Sequence, residues 1–513
     1  MAKLGSDWIR PTLKPVWLIL PIVGALVAAS LEPIPPHDYW WHLVFGREIA
    51  GGSIPATNLF LYTLDADLPF LDQPWLGQLL MYQAYGWGGH AAGVLLRNFL
   101  LVIAIGIALH AMWQRSRNSM ACGITALVCV MLTVPVLTVR TRMFAFVPYA
   151  VLLWTITYAA ENPRRAWVLF LNVATTAFWA NVHGTFVLAP VLLTAVTGSM
   201  IAEKVLGARE HEFRELLTWA SATVATGLSV ALTPSGLEIY RYVLLLSVTS
   251  NVSSSVSEWQ PPSPAEPIGQ LFMAVLAAGV TLLAMERKRL RIYEALIFAA
   301  GTVLAAGAVR SMFWFALATA LVLAVPVARR LKVSTSDAGR RLNLGIVAVV
   351  LLVGIAVQPG VLHRQVVGMV TEGLARRGGE GASLLGYENA TAALEQIQRR
   401  TPDARIFHDQ ALGGMIEWYL ARPEHKQVAF VDQRMEMVTQ EVWDDYFEVM
   451  SGEGWRDVLD RWNVDVVVVR VDEQWTLIQR LMLASEWSLV FVDEVHLVFV
   501  RGDAATQWRS API

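Results

Sequence analysis

Several turns in an otherwise apolar chain carry side chains able to do chemistry. They are Asp38 and His42 in HDYWWHLVFGREI, Arg140 and Arg142 in VRTR, Asn181 and His183 in WANVHG, Glu258 in EWQPP, and Arg310 in AVRS. A planar guanidinium fork grips phosphate oxygens, which an ammonium does less well. A carboxylate such as Asp38 can take the proton of an attacking hydroxyl, and arginines can stabilise the charge that develops on a departing phosphate. Apolar helices beside such groups can hold a lipid tail. The set suits transfer of a group from a lipid phosphate to an acceptor.

Each residue also has a plainer reading. Asp38 can cap the helix that follows it. Trp40 and Trp41 read first as interfacial anchors and second as sugar platforms. Arg140 and Arg142 can pair with lipid phosphates without catalytic purpose. His183 before Gly184 can hydrogen-bond across a tight turn. Arg310 can be the partner of an outer-loop acid. Asp65, Asp67 and Asp72 could hold a divalent cation, or be solvated loop acids. The shared location of these residues is stronger than any one of them.

That location follows from the apolar pattern. The chain is 55% hydrophobic and only 16% charged, too little charge for a soluble protein of this length. A membrane-crossing helix needs about 20 mainly apolar residues. Eleven segments qualify, at about 14–32, 91–113, 119–138, 143–160, 166–182, 185–203, 215–233, 268–285, 292–309, 311–328 and 343–359. Trp75–Trp87 is apolar but short and reads as a surface helix, as does Tyr240–Ser247. The run Val16 to Leu31 has no cleavage signature and reads as a retained first span. Cys122 and Cys129 share one apolar run and read as buried small hydrophobes.

Alternate loops are basic: Lys3/Arg10/Lys14, Arg115/Arg117, Arg164/Arg165, Lys204/Arg209/Arg214, Arg287 to Arg291, and Arg329 to Arg341. The positive-inside rule places these in the cytoplasm. The N-terminus is then inside, and the C-terminal region lies outside the cytoplasmic (inner) membrane. All the candidate residues fall at the outer face. A charge at mid-bilayer would cost about 2.5–3.5 kcal/mol, less near the interface.

The expected organisation is therefore an α-helical polytopic membrane domain, 1–360, with a first outer loop at 33–90, and an outer α/β domain at 361–513. Residues 361–383 read as its linker. Tyr387–Arg400, Gln440–Trp462 and Trp475–Ser485 have helical periodicity, while RIFHD, QVAFVD and VDVVVVRV read as buried strands and SLVFVDEVHLVFVR as a hairpin. His408, Asp409, Asp432 and Arg434 fall at strand ends, where they cap helices or line a ligand site. HDQALGGM matches no phosphate-binding fingerprint. No GxSxG or zinc-ligand spacing appears. The net charge of −2, with no basic stripe, excludes a nucleic-acid partner.

The string Asp38-x-Trp40-Trp41-His42-Leu43-x-x-Gly46-x-x-Ile49, with Gly52-x-x-Pro55 and Phe60-x-Tyr62-Thr63, resembles bacterial multi-pass proteins related to GT-C glycosyltransferases, including the protein mannosyltransferase-like and lipid A-modifying branches. The resemblance runs on through Trp75-Leu76, Arg140-x-x-x-Phe144, Trp179-Ala180-Asn181-x-His183-Gly184, Pro234-x-Gly236-x-x-x-Tyr240 and Glu258-Trp259-Gln260. Arg405 to Asp409, Gly413-Gly414 and Val431-Asp432-x-Arg434 extend it into the C-terminal region. It implies a GT-C-like fold, a polyprenyl-phosphate sugar donor, and a catalytic acid at Asp38. Relatives often read His-Glu-Trp-Leu before the surface helix; here Gln73-Pro74-Trp75-Leu76 stands there, and Asp72 is the nearest substitute acid.

The leading expectation is a glycosyltransferase that moves a sugar from a polyprenyl-phosphate donor to an envelope glycan, lipid or protein at the outer face. Asp38, Asp72 and His183 would be catalytic; His42, Arg140, Arg142, Asn181, Glu258 and Arg310 would contact substrate or membrane lipid. The pattern fixes no cofactor and leaves open a divalent cation, for which Asp65, Asp67 and Asp72 are the candidate ligands. A non-catalytic scaffold or envelope-assembly subunit is the alternative. A transporter is disfavoured, because its path needs ionisable residues near the midplane.

Overall fold

The computed structural model describes residues 14–248, 257–331, 340–362, 384–502 and 508. The basic N-terminal segment, the loop at 332–339 and most of the expected linker lie outside the described residues. In chain order the helices are α1 (Lys14–Leu31), α2 (Asp38–Ala50), α3 (Trp75–Ser116), α4 (Ser119–Met131), α5 (Phe146–Glu161), α6 (Leu171–Ala180), α7 (Leu188–Val205), α8 (Phe213–Leu228), α9 (Glu238–Val248), α10 (Pro267–Met285), α11 (Ile292–Gly307), α12 (Met312–Arg330) and α13 (Arg340–Ala356). There follow α14 (Thr391–Arg400), β1 (Ile406–His408), α15 (Gly413–Leu420), α16 (Gln440–Ser451), α17 (Trp455–Arg461), β2 (Val466–Arg470), α18 (Trp475–Leu483), β3 (Trp487–Val492) and β4 (His496–Arg501). α3 is two helices, broken at Gly88 and Gly89, whose backbones leave the helical region. The break separates the expected surface helix from the expected second span.

The chain divides into two compact units: residues 1–32 with 93–371, and residues 33–92 with 372–513. The first is all helical among its described residues. Its helices include segments long and apolar enough to cross a membrane, such as Thr141–Glu161, Gly184–Val205, Phe213–Leu232, Pro267–Met285 and Val309–Arg330, and Trp75–Ser116 also qualifies. Pro15–Leu31, Ser119–Met131, Ile292–Gly307 and Asn343–Ala356 are shorter apolar helices. The expected span at 166–182 is a 3-10 segment, Pro163–Phe170, that leads into α6. α12 forms the centre, buried from Met312 to Ala324 and packed on α4, α5, α10 and α11.

Polar contacts join ends that the sequence assigns to one side. Arg115 donates to Glu161 at 2.8 Å, to Leu321 O at 2.9 Å and to Glu294. Arg291 Nη1 reaches Ala160 O at 3.0 Å, and Arg329 and Arg330 both meet Glu286. From the other set, Arg97 Nη1 donates to Leu137 O at 3.0 Å and Asn98 Nδ2 to Gln358 Oε1 at 2.8 Å. Buried groups of this kind persist because their hydrogen bonds are made inside the protein.

The second unit is built on a four-stranded sheet of order β1-β2-β4-β3, with β1 and β2 parallel and the other pairs antiparallel. The run Val466–Arg470 is wholly buried, as a strand covered on both faces should be. Beyond β1, Ala429 pairs with Ile406, and Leu61 pairs with Ala429. Val428 N and Ala429 N both donate to Phe60 O, at 2.9 and 3.1 Å. The expected strand QVAFVD is thus extended chain wedged between β1 and the segment at Phe60 and Leu61. α2 lies against α15.

Candidate functional site

In the helical unit, three loops converge. Arg140 has extended backbone just before a 3-10 turn. Its Nε donates to Thr138 Oγ1 at 2.9 Å. Its two terminal nitrogens meet the two oxygens of Glu258, at 3.0 and 2.5 Å, the bidentate geometry that a guanidinium also offers phosphate. Both side chains keep partial exposure, 16% and 24%. Arg310 lies over the Trp259 ring at 3.9 Å, a cation–π contact. Val309 N donates to Gln260 O at 3.0 Å. Arg142 is buried and donates to Val136 O at 3.1 Å and Arg310 O at 3.4 Å, so it ties two of the loops together. Arg140, Arg142, Glu258 and Arg310, up to 170 residues apart in sequence by their numbers, therefore form one cluster.

His183 and Asn181 serve their own turn. His183 Nδ1 accepts from Thr185 N at 3.2 Å and lies 2.8 Å from Thr185 Oγ1, capping the 3-10 turn Gly184–Val187. Asn181 Nδ2 donates to Ala177 O at 2.8 Å. Their turn packs through Trp179 on Trp314, ring centroids 6.0 Å apart, one helical turn beyond Arg310.

In the second unit, Asp38 is the first residue of α2. The cap position belongs to His37, which makes no side-chain cap bond. Asp38 instead lies in the first turn, where a carboxylate suits the helix dipole. His42 is buried and packs on Trp41, centroids 4.6 Å apart. Trp40 departs from the expected interfacial anchor. It is fully buried, and its Nε1 donates to Asn389 Oδ1 at 2.7 Å. An indole placed in a protein core needs such a partner.

Asp72 is buried, with Oδ1 accepting from Gln78 Nε2 at 2.9 Å. Burial pushes its carboxyl up to about 8, against the pull of Gln78 and Arg434, so it holds its proton at neutral pH. Asp65 and Asp67 are exposed. No group of three His, Cys, Asp or Glu side chains is arranged for a metal ion among the described residues.

Around Asp72 the unit holds buried charge. Arg434 is 1% exposed, with Nε and Nη2 on Asp432 Oδ2 at 2.7 and 2.5 Å. Asp432 Oδ1 accepts from Arg434 N at 2.7 Å, and Glu417 Oε1 lies 3.8 Å from Nη2. Asp432 and Arg434 were legible as strand-end residues; Glu417, inside GGMIEWYL, carried no such signal. Asp409 caps the 3-10 turn after β1, accepting from Ala411 N at 2.8 Å. His408 bridges Asp409 O and Phe430 N, and burial lowers its imidazole to about 4.

No family model matches the sequence, and no curated protein does. Solved structures do match. The archaeal oligosaccharyltransferase AglB from Archaeoglobus fulgidus, in complex with an inhibitory peptide and a dolichol-phosphate, superposes with a TM-score of 0.54 at 12% identity, covering 97% of this chain and 75% of that one. ArnT from Cupriavidus metallidurans superposes in the apo state with a TM-score of 0.52 at 16% identity, covering 97% of this chain and 99% of that one. ArnT bound to undecaprenyl phosphate gives 0.50 at 15% identity, covering 98% and 99%. The arabinofuranosyltransferase AftD from Mycobacteria gives 0.50 at 13% identity, covering 95% and 40%. What the chain shares with all of them is architecture: it has the fold of these solved glycosyltransferases, with helices long and apolar enough to cross a membrane.

Proposed function

We propose that this chain transfers a sugar from a polyprenyl-phosphate-linked donor to an acceptor at the outer face of the cytoplasmic membrane. The observation that carries the reading is the Arg140–Glu258–Arg310–Trp259 cluster, a pair of cations gathered from loops expected on one side. Solved proteins of the same fold hold dolichol-phosphate and undecaprenyl phosphate, which supports a lipid-phosphate donor here. The polypeptide crosses the membrane eleven times in this reading, with its N-terminus in the cytoplasm.

The acceptor oxygen forms a bond to the anomeric carbon as the bond from that carbon to the phosphate oxygen breaks. The acceptor proton passes to the Asp38 carboxylate, and the polyprenyl phosphate leaves. Arg140 and Arg310 stabilise the charge that gathers on the leaving phosphate. Glu258 holds the Arg140 fork in its phosphate-ready orientation until donor arrives. Arg142 keeps the loops in register, His183 and Asn181 shape the neighbouring turn, and His42 packs α2. Asp72, buried and bonded to Gln78, is assigned to packing in this reading, so Asp38 acts alone as the base.

The test is transfer itself. The purified chain in lipid nanodiscs is given radiolabelled polyprenyl-phosphate sugars and membrane extract. Wild type labels an acceptor, whereas Asp38→Ala and Arg140→Ala do not. Transfer retained by both variants removes the mechanism. The second reading, a non-catalytic scaffold, draws on Gln73-Pro74 standing where relatives carry an acid, and on the neutral state of Asp72. A stable co-purifying protein, with no bound lipid phosphate, would favour it.

A further inference from the structure

Asp38 opens a helix that the C-terminal residues hold along its length. Trp40 is tied to Asn389 at 2.7 Å. The nitrogens of Arg47 donate to Trp418 O at 3.2 Å and Ala421 O at 3.3 Å. Lys426 pairs with Glu48. Gly414 of α15 sits so close to α2 that a Cβ there would lie 2.6 Å from Trp41 N. Only glycine permits that approach.

Beneath this seam lies the Arg434 guanidinium. It lies against Phe45 of α2 and Phe70, 5.0 and 5.1 Å from their centroids, beside a pair of rings that meet edge to face at 5.6 Å, and it is anchored by Asp432. An arginine buried to this degree persists only if its charge is paired. Here its charge is met by the Asp432 carboxylate, and the Phe45 and Phe70 rings lie beside it. Removing the ion pair therefore loosens the seam between α2 and its bed before it loosens the sheet behind.

We propose that Arg434 and Asp432 are positioning residues for Asp38: the C-terminal residues act as the template on which the first outer loop is ordered. The proposal rests on the reading of Asp38 as the proton-accepting carboxylate, and its closing experiment separates the two. Two carboxyl groups meet the one cation, Asp432 at 2.5 Å and Glu417 at 3.8 Å, and Asp72 feels its charge. Burial holds the Asp72 carboxyl at about 8, and burial together with Asp432 holds Glu417 well above the carboxylate range. The core of the seam is the ion pair of Asp432 with Arg434, with Glu417 at 3.8 Å from the same guanidinium nitrogen.

The experiment is hydrogen exchange on the full chain in nanodiscs, comparing wild type, Asp432→Asn, Arg434→Lys and Glu417→Gln. Asp432→Asn is expected to raise exchange in residues 38–50 by about tenfold or more, with strand 466–470 unchanged. Arg434→Lys, which keeps the charge but loses the planar guanidinium beside the rings, gives a smaller rise. Glu417→Gln, which keeps the shape of a side chain that makes no close bond to Arg434, leaves the wild-type pattern. Unchanged exchange at 38–50 in Asp432→Asn overturns the proposal, and so does an equal rise at 466–470. Should Asp432→Asn not fold, Arg434→Lys alone decides by the same two criteria. In the transfer assay, a positioning role lowers kcat with the donor KM unchanged. If wild type transfers nothing, the reading of Asp38 fails while the exchange result still stands.

Discussion

Arg140 and Glu258, 118 residues apart, meet through two hydrogen bonds of 3.0 and 2.5 Å. A carboxylate thus occupies the fork that the proposed mechanism assigns to a phosphate. Both side chains keep some exposure, so a dianionic ligand can reach the fork and compete with Glu258 for it. Arg140→Ala should weaken binding of undecaprenyl phosphate by about tenfold to hundredfold, as for a lost charge-assisted bond. Glu258→Gln should strengthen it by about two- to fivefold. Equilibrium binding to the purified protein reads both, and a Glu258→Gln protein that binds more weakly counts against competition at this fork.

Asp38 begins α2, and its side chain is neither fully buried nor the helix cap. Asp38→Asn should therefore leave thermal unfolding within about 0.5 kcal/mol of wild type. Transfer should fall by about a hundredfold or more, the usual worth of a general base. Equal loss of stability and transfer would assign Asp38 to structure instead.

Asp72 gives a pH dependence of defined sign. Its folded value near 8 stands above the ordinary 3.8, so the folded state keeps a proton that the unfolded chain releases. Its contribution to stability is complete below about pH 4 and is lost as pH rises through 8. Asp72→Asn cannot ionise. Between pH 6 and 9 its melting temperature should hold steadier than that of wild type, with the largest gap at the alkaline end. Parallel curves for the two proteins would show that Asp72 is ionised when folded.

Gly46 faces the start of α3. A Cβ there would lie 2.3 Å from Gln78 O and 2.6 Å from Tyr82 Cβ. The first of these is backbone and cannot rotate away. Gly46→Val should destabilise by about 1–3 kcal/mol, the usual range for overpacking. Thermal or denaturant unfolding of the purified protein reports it, and a neutral result would mean that α2 can shift along its bed.

Local pattern was enough for much of this molecule. Apolar runs and their length place the helices, including the break at Gly88–Gly89, and period-two or all-apolar runs place β1, β2 and the β3–β4 hairpin. These signals lie within one or two turns of chain, where the sequence is read directly. The alternation of basic loops sorted the helix ends, and Arg140, Arg142, Glu258 and Arg310 were all legible as unusual polar residues at one set of ends. Their pairing was not: which carboxylate meets which arginine depends on helix packing across more than a hundred residues. The same limit applies to the first outer loop. Nothing periodic announces that Phe60 and Leu61 pair with residues near Ala429, or that Trp40 donates to Asn389. Only the folded chain decided that the loop belongs with the C-terminal residues and that Asp72 is an internal, protonated acid. Burial is a property of neighbours distant in sequence, and burial sets both the protonation of a carboxyl and the partner an indole must find.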